Sequence, residues 1–258
     1  MPLKRLIYLF YENRLEKEVK ENGLMPTHVG LILDGNRRYA NKMGFDDVTK
    51  GHKAGAKKLD DVLQWCAEFD IKIVTIWVLS TDNIHREKKE IEGLLGVIKE
   101  KLLDLMENPV VKKNGFKIRT LGNIDVLPDE LKEVIRKAED KTKTHDRRIL
   151  NIAIGYGGRE EIVEAVKKVI KEKKFSTPLE LAENITVDDI TSHLYTNGIP
   201  DPDLIIRTSG EIRLSGFLLW QSAYSEFYFC DALWPAFRRI DFLRAIRSYQ
   251  QRNRRFGR

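Results

Sequence analysis

The sequence predicts an α/β fold: a single domain built on a mostly parallel central sheet flanked by helices. Three observations carry that prediction. Short apolar runs rich in β-branched residues recur along the chain. Amphipathic stretches with helical spacing lie between most of them. No internal repeat, low-complexity tract or long linker breaks the alternation, so one domain accommodates the whole chain. At 258 residues it is long enough to bury a full core.

The elements follow in order. Residues 3–22 form a leading amphipathic helix, and a boundary is set at 1–25 with the body at 26–258. Strands are expected at Val29–Leu33, Ile71–Leu79, Phe116–Leu121, Ile149–Ile154, Leu204–Ile206 and Glu226–Phe229. Helices are expected near 47–68, 88–107, 129–143 and 158–173, with a trailing basic one at 239–254. A turn at Gly35-Asn36 starts a further helix over Arg37–Lys42.

Composition narrows the class. Hydrophobic residues make up 42% and charged ones 33%, which fits a folded globular chain and excludes a disordered one. A net charge of +6 and a pI near 9.1 favour an anionic partner: phosphate, nucleic acid or a membrane surface. Cys66 and Cys230 sit in apolar surroundings without metal-like spacing and read as buried reduced thiols. No apolar run approaches the length of a membrane span and no signal peptide is visible, so the expected location is cytoplasmic. The "NIT" at Asn184 matches a glycosylation sequon only by chance in that setting.

In parallel sheets, ligands bind outside the carboxyl ends of the strands. The residues delivered there are chemically coherent. The first strand ends in "DGNRR", Asp34 to Arg38. The second ends in "STDNIHR", with Ser80, Asn83 and Arg86. The fourth ends in the glycine-rich "GYGGR", Gly155 to Arg159. The fifth ends in "RTSGEIRLS", with Arg207, Arg213 and Ser215, and "YSEFYF" adds Glu226. Guanidinium forks with hydroxyls and amides suit a multiply charged phosphate group. Two isolated acids, Asp34 and Glu226, suit one Mg²⁺ bridging phosphate oxygens. This is the pattern of a polyphosphate site.

"HVGLILDGNRRYA", "GHKAGAKK", "STDNIHR", "LNIAIGYGGREEIV" and "DLIIRTSGEIRLSGFLLWQSAYSEFYF" together resemble the cis-prenyltransferases, the undecaprenyl and dehydrodolichyl diphosphate synthase family. The match runs in order from about residue 26, and the wording of the first and last motifs resembles archaeal and eukaryotic members. The resemblance implies a homodimer whose sheet roofs a hydrophobic tunnel. It implies repeated condensation of isopentenyl diphosphate onto an allylic diphosphate, each new double bond being cis, towards a medium-to-long polyprenyl diphosphate that serves as a precursor of a glycosyl carrier lipid.

Residue roles carried by the resemblance are these. Asp34 binds Mg²⁺ with the diphosphate, and Glu226 is a second Mg²⁺ contact. Gly35, Asn36, Arg37, Arg38, Tyr39 and His52 hold the allylic diphosphate. Ser80, Thr81, Asp82, Ile84 and Arg86 belong to the second substrate-binding segment, in which Asn83 helps proton removal, more by positioning than as a base. Arg207, Arg213, Leu214 and Ser215 form the isopentenyl diphosphate pocket. The chain departs from the bacterial pattern after "NK", where an arginine is replaced and Lys50 or Lys53 is the available substitute. It departs again at Ile84, where bacterial members often carry tryptophan.

Two other readings compete. A nucleic-acid binder would explain the basic carboxy-terminal stretch "RRIDFLRAIRSYQQRNRRFGR", although no nucleic-acid motif accompanies it. A non-catalytic prenyltransferase subunit would share the fold but is expected to lose Asp34 and parts of the arginine cluster, which this chain keeps. Further expectations concern assembly and product. "EFYFCDALWPAF" has more aromatic groups than one short strand needs, as a homodimer interface would, with Arg255-Phe256-Gly257 reaching towards the partner's site. Leu6, Ile7, Leu9 and Phe10 beside Lys4 and Arg5 suit a peripheral membrane contact. Ile91, Leu94, Leu95, Ile98, Leu102 and Leu105 form a stripe that would wall the tunnel, with Gly93 and Gly96 leaving room beside it. Of the other histidines, His28, His85, His145 and His193 read as structural.

Overall fold

The computed structural model describes residues 2–173 and 177–252, except for the side chains of residues 2–7 and His85. Strand β1 (His28–Ile32) lies inside a six-stranded sheet with β2 (Ile73–Ser80), β3 (Phe116–Leu121), β4 (Arg148–Tyr156), β5 (Leu204–Arg207) and β6 (Glu226–Phe229). The order is β3-β4-β2-β1-β5-β6, and every pairing is parallel. All six expected strands are present. The near-continuous apolar runs of the inner strands reflect burial on both faces: the five residues of β1 are all buried, whereas the edge strands β3 and β6 are partly exposed.

The helices are α1 (Pro2–Asn22), α2 (Asn36–Lys42), α3 (Val48–Glu68), α4 (Lys88–Glu107), α5 (Pro109–Asn114), α6 (Asp129–Thr142), α7 (Gly158–Lys173), α8 (Pro178–Asn184), α9 (Val187–His193) and α10 (Arg239–Arg252). The short α5, α8 and α9 were not expected from the sequence. Each is six or seven residues long and is held by its cap, Asn108, Thr177 and Thr186 respectively, rather than by an apolar stripe. Residues 253–254 of the expected trailing helix lie outside the described residues.

Alternate strand residues serve two apolar layers. Ile76, Ile152 and Ile206 join the main core with α3, α4, α6 and α10, while Ala153 and Ile205 join Phe217 and Tyr156 in a second cluster. Helix α1 belongs to the main core through Leu15 and Val19. Gln250 of α10 fastens it by donating to the carbonyls of Val19 and Leu24 at 2.9 and 2.8 Å.

His28 starts β1 fully buried. Its ring nitrogens meet the Pro200 carbonyl and Thr75 Oγ1, each at 2.7 Å, and Asn151 Nδ2 donates to the same Thr75 Oγ1 at 2.9 Å. Burial pushes the imidazole pKa down to about 4. The structural reading of His28 therefore holds, as does that of Cys66, whose thiol burial pushes up to about 12.

Candidate active site

Register decides what meets at the carboxyl edge. Ile32, the last residue of β1, pairs with Trp77 on one side and with Arg207 on the other. Asp34, two residues on, therefore emerges between the ends of β2 and β5. Its carbonyl accepts from Thr208 Oγ1 at 2.7 Å and Trp234 N at 3.0 Å, fixing the turn. Gly35 follows at φ 107°, and a Cβ there would lie 2.9 to 3.1 Å from Leu233, so both the conformation and the space require glycine.

The "GHKAG" motif works by close approach. A Cβ at Gly51 would fall 2.2 Å from the Asn36 carbonyl oxygen, and one at Gly55 would fall 2.1 Å from Asn36 Oδ1. Bare backbone at those two turns of α3 lets it lie against the start of α2, and this brings His52 to the site. Burial pushes the His52 pKa down, with the nearby Glu90 opposing and Arg86 and Arg37 assisting, which favours the neutral ring.

A cavity of about 730 Å³ opens at this edge. Its mouth is lined by Asp34 to Arg38, His52, Ser80, Asp82, Asn83, Arg86, Arg207, Arg213 and Ser215. The inner wall is apolar, formed by Leu59 of α3, Ile76 and Ile152 of the sheet, and Leu94, Ile98, Leu102 and Leu105 of α4. Asp34 bonds Arg207 Nη2 at 2.8 Å and lies 3.5 Å from Arg38. Burial raises the Asp34 pKa, but the Arg207 hydrogen bond and charge, with Ser209 and Arg38, outweigh it and hold the carboxylate below its ordinary range. Arg207, almost fully buried, also donates to the Arg213 carbonyl at 2.5 Å and to Ser215 Oγ at 2.8 Å. Ser209 and Ser215 hold positive φ values of 82° and 52°, strain concentrated in the loop that presents Arg213.

Several expectations change. Tyr39, Thr81, Ile84 and Leu214 do not line the cavity: Ile84 packs on the main core and Leu214 on the second cluster. Glu226 does not join Asp34 within the chain. It starts β6 opposite Leu204, at the amino end of a parallel strand, and pairs with Arg252 at 3.2 Å. The "GYGGR" turn likewise stays out. Arg159 is exposed, and Gly158 instead donates to the Gly216 carbonyl at 2.9 Å, supporting the Ser215 loop from behind. Lys50 and Lys53 do not replace the missing arginine, being exposed partners of Asp46 and Glu100. Gly96 faces solvent, and Gly93 abuts Thr49 of α3; Ile91 and Leu95 pack on the core without lining the cavity.

Sequence reasoning missed two acids. Glu90, on the first turn of α4, bonds Arg86 at 2.9 Å and approaches Arg37 at 3.5 Å. Glu211 pairs with Arg213 at 2.5 Å and Arg38 at 3.5 Å. Each reads in sequence as an ordinary surface carboxylate, and only the fold places it among the arginines. Lys101 in the inner wall was missed for the same reason.

A parallel sheet whose carboxyl edge carries arginines interspersed with Asp34, Asp82 and Glu211, above an apolar shaft, is a site shaped for an anionic head and a hydrocarbon tail. Comparison with known proteins makes this specific: residues 32–257 match the family model described as putative undecaprenyl diphosphate synthase, and the chain belongs to that family. It is similar to an isoprenyl transferase of Thermus thermophilus, 54% identical over 260 residues that cover 100% of this chain and 98% of the relative. It is 49% identical to a (2Z,6E)-farnesyl diphosphate synthase of Thermobifida fusca, over 97% of each chain. The crystal structure of lavandulyl diphosphate synthase from Lavandula x intermedia, in complex with dimethylallyl diphosphate, superimposes with a TM-score of 0.80 at 34% identity, covering 88% of this chain and 95% of that one. The chain is an enzyme that transfers prenyl groups.

Proposed function

We propose that the enzyme is a cis-prenyltransferase condensing isopentenyl diphosphate units onto an allylic diphosphate primer. The observation that carries this is the continuity of one cavity from a guanidinium-lined mouth to an apolar inner wall. In the reaction the allylic carbon–oxygen bond breaks and diphosphate leaves with the electron pair. The isopentenyl double bond supplies the electrons of the new carbon–carbon bond, and a proton is lost to restore a double bond. Asn36, Arg37, Arg38 and His52 are suited to hold the leaving diphosphate; Arg207, Arg213 and Ser215 are suited to hold the isopentenyl diphosphate. Charge building on the leaving group is then met by fixed donors. Asn83, whose backbone N–H is pinned to Ser80 Oγ at 3.1 Å, orients the proton-losing end.

Mg²⁺ fits this donor set. Among the described residues no three His, Cys, Asp or Glu side chains converge. Asp34 nevertheless faces the cavity, and buried Asn36 Oδ1 and His52 Nε2 have no hydrogen-bond partner, while the unpartnered N–H at Arg207 Nε is a donor for phosphate. One carboxylate completed by substrate phosphates is the usual Mg²⁺ arrangement, and the ion would neutralise diphosphate charge. Glu226 could serve as the second carboxylate only from another copy of the chain. A homodimer is part of this reading: β6 is a sheet edge with half-buried Phe227, Tyr228 and Phe229, beside exposed Tyr224 and Ile212. Cys230, Trp234 and Phe237 of the same segment are core, and Arg255-Phe256-Gly257 lie outside the described residues.

In this reading residues 26–258 are the catalytic domain and 1–25 a leading helix. No described helix is long and apolar enough to cross a membrane. Exposed Tyr8, Leu9 and Phe10 on α1 support a peripheral lipid contact for releasing a hydrocarbon product; the side chains of Lys4, Arg5, Leu6 and Ile7 lie outside the described set. The arginines of α10 do not favour nucleic acid, since Arg239, Arg244 and Arg252 face Glu16, Glu68, Asp241 and Glu226. The test of the reading is incubation with Mg²⁺, labelled isopentenyl diphosphate and allylic primers of several lengths. Growth of polyprenyl diphosphates supports it, and no incorporation with any primer refutes it.

A further inference from the structure

The inner wall of the cavity is apolar with one exception. Lys101 enters it between Ile98 and Leu105, with only 12% of its side chain exposed. The ammonium group is fully committed: it donates to both carboxylate oxygens of Asp60, at 2.6 and 2.7 Å, and to Asp104 at 2.6 Å. Asn108 Nδ2 donates to the same Asp60 carboxylate at 2.9 Å, while its Oδ1 caps α5. Helices α3, α4 and the start of α5 are thus tied together at one point of the wall. A leucine at 101 would continue the stripe, whereas a lysine has to be desolvated and matched by carboxylates. Ordinary core packing gives no reason for a charge at this place.

Its depth suggests one. Lys101 lies thirteen residues beyond Lys88, roughly 20 Å along α4 from the mouth. If each carbon takes about the 30 Å³ of a water molecule, a five-carbon unit needs roughly 150 Å³. The cavity of about 730 Å³ then encloses roughly five units, and part of it is taken by diphosphate. A longer chain has to leave the enclosed space.

We propose that the Lys101–Asp60 pair is the clasp that confines the growing chain and so sets product length. The inference rests on the prenyl-transfer reading. While the pair is closed, α3 and α4 stay joined beside the inner end of the shaft and the tail is stopped there. An apolar tail offers no hydrogen bond to a freed ammonium or carboxylate, so the tail does not open the clasp itself. With the clasp removed, the tail passes between the helices and growth continues.

The experiment sizes the products of wild type, Lys101→Ala, Asp60→Ala and Lys101→Arg from labelled isopentenyl diphosphate and a fixed primer. The two alanine variants are expected to shift the most abundant product upward by one or more five-carbon units, and the arginine variant, which keeps the pair, to match wild type. Unchanged or shortened products from both alanine variants would overturn the clasp. Should either alanine variant fail to fold, the double variant Lys101→Ser with Asp60→Ser leaves no unpaired charge at either position, shortens both side chains out of reach of one another, and carries the same expectation and the same refutation. If wild type itself incorporates no label, the prenyl-transfer reading fails and the clasp falls with it; if wild type elongates normally and only the length shift is missing, the clasp alone is wrong.

Discussion

Replacing Asp34 by alanine separates chemistry from stability. The carboxylate bonds Arg207 at 2.8 Å and lies 3.5 Å from Arg38, with 30% of its side chain exposed. A hydrogen bond to a charged group contributes about 1.5–3 kcal/mol. Arg207 keeps its bonds to the Arg213 carbonyl and Ser215, and solvent partly screens the acid. The expected loss of stability is therefore about 1–2 kcal/mol, a fall of roughly 2–8 °C in Tm for a chain of this size. Turnover should fall far more, by roughly 100-fold or beyond, because the carboxylate that Arg207 holds between the ends of β1 and β5 is gone. Asp34→Asn, which keeps an acceptor for Arg207, should lose activity equally and less stability. The assay pairs label incorporation with thermal melting followed by circular dichroism. Retention of more than about a tenth of wild-type turnover, or a Tm drop beyond roughly 10 °C, would show that Asp34 serves the fold and not the reaction.

Arg213, exposed at the mouth, should on replacement by alanine chiefly raise KM for isopentenyl diphosphate, whereas Arg207→Ala should also lower kcat because it strips Asp34 of its partner; steady-state kinetics separate the two, and equal effects would contradict the geometry. Ile98→Trp, filling the inner wall, should shorten products, while Gly96→Trp on the solvent side of α4 should leave their length unchanged, as chromatography would read. His28 is neutral and buried with a pKa near 4 against about 6.5 unfolded, so the unfolded chain binds the extra proton between those values: stability is full above about pH 6.5, falls by on the order of 3 kcal/mol as pH drops towards 4, and a pH series of urea melts on His28→Gln should lack that step. Light scattering should give twice the chain mass, and a fully active monomer would remove the assembly argument.

The sequence by itself determined the sheet. The four inner strands, buried on both faces, are written as apolar runs rich in β-branched residues, and the two edge strands as an alternating run and a short aromatic one, so all six, and the long helices between them, follow from local pattern. It also determined most of the mouth, because Asp34, Ser80 and Arg207 each end a strand or closely follow one, and in a parallel sheet those ends converge. Tertiary structure decided what no local pattern encodes. Whether a glycine on α4 opens a cavity or faces water depends on helix rotation by a fraction of a turn, and Gly96 faces water. Whether an acid near a strand reaches the site depends on which end it occupies in the register; Glu226 starts β6 and stays away, while Glu90 and Glu211, unremarkable in sequence, come within ion-pair distance of the arginines. Lys101 meets Asp60 across forty-one residues of chain, a pairing that only the packing of α4 on α3 creates, because electrostatic matching in a buried wall depends on proximity in space and not along the sequence.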